Sequence, residues 1–175
     1  MHVKRTIFSA LVTSLVLTLG TIGVANAYDC QYDARPTRQF NVRYGSLSPQ
    51  WTNVMDSARS YWNTSGAGTS IGTTPGSSAV MEAGNYNTDW YGFYTWNPAI
   101  GSFNIKINGQ LLSSNAPSGQ FWTWAKSTAT HELGHALRLK DKSQVSFLTL
   151  MDWARNRSQV YRPQPYDVAN VRYCY

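Results

Sequence analysis

The sequence predicts an α+β domain, with a mixed α/β arrangement as the neighbouring possibility. Three observations lead there. Two separated stretches show helical periodicity. Short apolar or aromatic runs with strand character lie between them. The order reads strand, helix, several strands, helix, helix, and not a regular alternation. The chain has 175 residues, 42% of them hydrophobic and only 14% charged, which suffices for one core. With 7 Trp, 11 Tyr and 6 Phe, it does not have the composition of a disordered polymer.

Gln39–Tyr44 (QFNVRY) alternates apolar and polar residues, as a half-buried strand does. Ser48-Pro49 then offers an N-cap followed by proline at the first helical position. Behind it Trp51, Val54, Met55, Ala58, Tyr61 and Trp62 recur at helical spacing, predicting a helix from 49 to about 62. Stretches 63–70 and 73–78, rich in Gly, Ser and Thr, read as loops. Residues 78–83, 90–96 and 103–107 read as strands. A second helix is expected from about 119 to 137 and a last one from about 165 to 173.

Residues 1–27 read as a secretory signal peptide. Lys4 and Arg5 precede an apolar run from 7 to 24, which closes on Ala25-Asn26-Ala27. A membrane anchor is the competing reading, but the run is short for one and is diluted by Thr13, Ser14, Thr18 and Thr21. The expected organisation is therefore a signal peptide at 1–27 and a domain at 28–175, secreted and extracellular. Without Lys4 and Arg5 the remainder carries 13 basic against 9 acidic residues, scattered along the chain. Nothing in that distribution predicts a nucleic-acid partner, and no other stretch could cross a bilayer. Cys30 and Cys174, near the two ends of this domain, are expected to pair in an oxidising compartment.

The chemistry concentrates in His131-Glu132-Leu133-Gly134-His135, inside the second predicted helix. Histidines four residues apart project from one helix face and can reach one metal ion. Glu132 points off that line, yet can approach a water on the metal and act as its base. A catalytic zinc site needs a third protein ligand and one open position. No histidine and no glutamate follows His135, so the candidates are Asp141, six residues on, with Asp152 in reserve.

His131 to Asp141 (HELGHALRLKD) resembles the extended zinc motif of metzincin metalloproteases, in its snapalysin-like form with aspartate as third ligand. Met151 falls where that family's Met-turn would place a methionine beneath the metal. The resemblance implies a zincin-like domain: a small twisted mixed sheet, an active-site helix and a C-terminal helix. It implies one catalytic Zn²⁺ on His131, His135 and Asp141, with Glu132 as general base. It implies a monomeric secreted endopeptidase acting on protein or peptide substrates. Residues 90–96 would border the cleft, and Trp153 and Tyr161 would wall a pocket. Calcium has no dense carboxylate cluster to support it. The chain departs from the family at Arg138, where glycine is usual; a left-handed backbone there costs a non-glycine residue roughly 1 kcal/mol. Two alternatives stand beside the protease. One is a catalytically degenerate secreted module binding glycan or cell-wall material on the same fold. The other is a structural zinc also using Cys30 and Cys174.

Overall fold

A computed structural model describes residues 28–175; the expected signal peptide at 1–27 lies outside the described residues. The architecture is α+β, with a five-stranded mixed sheet and four helices. Strand β1 (Gln39–Tyr44) buries Phe40 and Val42 on one face, as its alternation requires. Helix α1 (Pro49–Asn63) starts where Ser48 accepts a hydrogen bond from the Trp51 N–H and Pro49 takes the first turn. Then follow β2 (Ser70–Thr73), β3 (Val80–Gly84), β4 (Gly92–Asn97) and β5 (Ser102–Asn108). Three helices complete the chain: α2 (Gly109–Asn115), α3 (Phe121–Ala136) and α4 (Pro165–Cys174).

The sheet order is β2-β1-β3-β5-β4. All neighbours are parallel except β4, which runs antiparallel along β5 as the edge. The inner face carries Val42, Met81, Phe103, Ile105 and Ile107 against Val54, Met55, Ala58 and Trp62 of α1 and Ala125, Ala129 and Leu133 of α3. Burying one such side chain contributes about 1.5–3 kcal/mol. Trp62 is fully buried, and its indole N–H donates to the Thr130 carbonyl at 2.8 Å, fixing α1 against α3. No helix among the described residues is long and apolar enough to cross a membrane.

Two elements were not expected. β2 falls between the two loop stretches, and its Ser-Ile-Gly-Thr holds one buried apolar side chain. Its order comes from pairing with β1, where Gly72 leaves room for the Asn41 side chain. Helix α2 is only seven residues long, and its capping residue is fixed from a distance. Asn108 accepts from the Leu111 N–H while its amide reaches the carbonyls of Tyr86 and Trp90.

The expected pairing of cysteines is present: Cys30 and Cys174 form a disulfide across a separation of 144 residues, with Cα atoms 5.7 Å apart. Both thiols are therefore committed, which removes the reading of a structural zinc held by cysteines.

Candidate metal centre

Helix α3 supplies the first half of the site. His131 is buried and His135 largely covered, one turn apart on the face turned to β4. Each imidazole has its Nδ1 2.9 Å from a backbone carbonyl, of Leu150 for His131 and of Leu139 for His135. A carbonyl only accepts, so these contacts favour the proton on Nδ1 and a lone pair on Nε2, although at His131 the Arg155 Nη1, a donor, also lies 3.1 Å from Nδ1. Both Nε2 atoms face the same oxygen: Asp141 Oδ1 lies 3.0 Å from that of His131 and 3.6 Å from that of His135. The three donor atoms lie within 4.8 Å of one another. Two nitrogens and a carboxylate oxygen so arranged match what a zinc-type cation takes.

Asp141 reaches this point because α3 ends on a left-handed residue. Arg138 has φ of 67°. The Leu139 N–H returns to the Gly134 carbonyl at 3.0 Å and the Arg138 N–H to that of His135 at 3.1 Å, the paired bonds of a Schellman ending. The Arg138 side chain offsets the backbone cost by donating to the Cys174 carbonyl at 2.8 Å and stacking 4.5 Å over Tyr175. The N-terminal strand segment lies over the same turn. Gln31 donates from its backbone to Arg138 and from its side chain to the His135 carbonyl, and Asp29 pairs with Lys140. Asp152, the reserve ligand, is not brought to the centre; its carboxylate accepts from the Ala154 N–H.

Met151 lies beneath α3 with its sulfur against Gly134: a Cβ at that glycine would come within 2.5 Å of the Met151 Sδ. The segment 149–151 is held by Asp167 of α4. That fully buried carboxylate accepts from the Thr149 hydroxyl, and from the N–H groups of Leu150 and Gln164 at 2.8 Å each. Burial still pushes Asp167 above the usual carboxylate range.

The electrostatics suit a cation. Burial, aided by the charge of Arg155, pushes His131 down to about 3; burial also lowers His135. Both are therefore neutral at pH 7, the state a ligand needs. Burial raises Asp141, but when His131 carries a proton on Nε2 its hydrogen bond and charge outweigh that and lower the carboxyl; the neutral, ligand-ready imidazole gives no such bond. Glu132 is pushed by burial up to about 8, against the pull of Arg155. Its carboxylate sits on β4 where a side chain would not fit: a Cβ at Gly92 would come within 2.3 Å of Glu132 Oε1.

These groups floor a cleft of about 650 Å³. Residues 90–94 of the edge-strand region form one wall, as expected, with Phe93 47% exposed and stacked on Trp90 at 5.5 Å. Trp153, 54% exposed, forms part of the other. Tyr161 does not join it; it packs on Tyr61 at 5.9 Å and is not a cleft residue. Arg155 and Arg157, which sequence reasoning did not single out, do line the cleft.

No protein-family model and no curated protein matches the chain. Among solved structures, one of 53 matching chains is titled "GM1 bound form of the ECX AB5 holotoxin". The TM-score is 0.60 at 12% identity, covering 78% of this chain and 80% of that one. At that identity the likeness is one of fold. It corrects the expectation of an endopeptidase only so far as that the similar structure is titled as a GM1-bound toxin and not as a protease.

Proposed function

We propose that the chain is a secreted module that binds glycan-bearing material in the cleft between β4 and α3, with a divalent metal at its floor. The observation that carries the metal is the convergence of His131 Nε2, His135 Nε2 and Asp141 Oδ1 within 4.8 Å. The metzincin-like spacing of residues 131–141 supports zinc as the ion. What supports the glycan is the aromatic rim, whose exposed Phe93 and Trp153 offer flat apolar faces for sugar C–H surfaces above polar groups. The GM1-bound title of the similar structure points the same way. The disulfide and the leader-like residues 1–27 support secretion.

A second reading rests on Glu132. A carboxyl buried beside the ligand triad and raised to about 8 is suited to hold or move a proton near neutral pH. A bound zinc would supply Lewis acidity and lower the pKa of a coordinated water. In that reading the module is also a metal-dependent hydrolase. Glu132 then acts as base, Gly92 leaves its carboxylate room, and the carbonyls of Leu150 and Leu139 orient the two imidazoles.

The test combines metal analysis with ligand screening. Wild type should take up one zinc, and Asp141→Ala should weaken uptake by about a hundredfold while Asp152→Ala leaves it alone. Glycan-array binding by wild type and by Glu132→Ala alike supports the module. An empty array, or zinc uptake untouched in Asp141→Ala, would sink it. Turnover of a bound glycan conjugate that Glu132→Ala abolishes selects the second reading. Casein cleavage abolished by the same variant would reverse the correction itself.

A further inference from the structure

Two guanidinium groups line the cleft with no carboxylate in salt-bridge contact among the described residues. Arg157 lies on its wall, with the guanidinium 4.4 Å over the Tyr91 ring and 5.6 Å from that of Trp124. Its Nη2 donates to the Trp153 carbonyl at 3.2 Å. These contacts immobilise the plane but occupy one of five N–H donors. The Arg157 Nε is buried without a partner, and no carboxylate pairs with this side chain among the described residues. Beside it Arg155 is buried, directing its donors to Ser127 and the Asp152 carbonyl and lying 3.1 Å from His131 Nδ1, with no carboxylate in salt-bridge contact. Two covered cations with no carboxylate in direct contact, and only the nearby Glu132 acting on both, are costly to keep. A guanidinium held flat with free donors facing a cleft is already organised for a planar carboxylate.

We propose that this wall is an anion subsite, in which Arg157, backed by the charge of Arg155, takes a carboxylate carried by the cleft's ligand. On the glycan reading, on which this inference rests, the ligand is an acidic sugar chain and not a neutral one. The stacked Tyr91 and Trp124 act as positioning residues by keeping the fork in one orientation.

The test uses probes anchored on the metal, so that it does not depend on knowing the natural ligand. Zinc-loaded protein is titrated with alkyl hydroxamates bearing a terminal carboxylate two or four methylenes away, and with the matching amides. The acid should bind about tenfold tighter than its amide at low salt. Arg157→Met should abolish that preference while retaining zinc and amide affinity, and Arg157→Lys should keep part of it. Equal affinity for acid and amide, or a preference that survives in Arg157→Met, overturns the subsite. Trigalacturonate against its methyl ester then reads the carrier: preference for the acid supports the sugar, whereas binding of an acidic hexapeptide alone overturns the sugar and keeps the anion. A chain that takes up no zinc and binds no hydroxamate fails the metal reading first, and this inference with it.

Discussion

The two halves of the metal centre are built by different means. His131, Glu132 and His135 stand on α3, whose position is set by the Trp62 lock and by apolar packing under the sheet. Asp141, Met151, Arg155 and Arg157 lie on the irregular stretch between α3 and α4, where isolated bridges from Cys30 to Leu139 and from Lys142 to Asp152 stand in for a continuous ladder. There, single polar contacts substitute for secondary structure: Arg138 on the Cys174 carbonyl, Asp29 on Lys140, Asp167 under Leu150. The helical half is cooperative and should survive loss of any one contact. The irregular half should fail piecemeal, and from its tethers.

The largest expected effect comes from removing the disulfide. Cys30→Ser with Cys174→Ser opens a loop closed across 144 residues, worth roughly 5 kcal/mol on the chain-entropy model. Chemical denaturation should show that loss. Zinc affinity should fall with it, since Gln31 and Arg138 lose their anchor; unchanged zinc affinity would show that the termini do not brace the metal loop.

Next in size is a pH effect on the helical half. Unfolded, Glu132 releases its proton near its ordinary 4.5; folded and metal-free, it keeps it up to about 8. Between those values the native state binds more protons, so this group's contribution to stability falls as pH rises. The stability gap between Glu132→Gln and wild type, measured in chelator, should therefore grow from about pH 4.5 to about pH 8. A flat gap would mean that Glu132 is hydrated in solution.

Gly134→Ala tests where the halves touch. The added methyl meets the Met151 sulfur, and overpacking of this kind costs about 1–3 kcal/mol. Thermal unfolding should drop by several degrees. The smallest effect separates backbone from side chain at Arg138. Arg138→Ala should be less stable than Arg138→Gly by about 1 kcal/mol, because only glycine accepts a φ of 67° freely. Equal stability would place the cost entirely in the lost guanidinium contacts.

What could be read from the sequence follows the same division. The Ser48-Pro49 start of α1, the alternation of β1 and the histidine pair on α3 are local patterns, and each lies where its pattern puts it. Asp141 was reachable by counting residues, yet its approach depends on Arg138 accepting a conformation that its type disfavours. β2 and α2 escaped because four and seven residues hold too few apolar side chains to show a period. Asp167, Gly92 and the two arginines escaped because their partners are distant in sequence; no spacing rule links Asp167 to Leu150 or Gly92 to Glu132. The peptidase expectation came from the motif, with only the order of elements behind it elsewhere, and it is the part corrected by comparison.

Asn108 extends the theme of single tethers to the far wall. Its amide gathers the carbonyls of Tyr86 and Trp90, so the turn leading into β4 is tied down by one side chain where the ladder with β5 ends. An aspartate there would set an anion against those oxygens, so Asn108→Asp should loosen the turn at Tyr86 and Trp90 while α3 and its imidazoles stay in place.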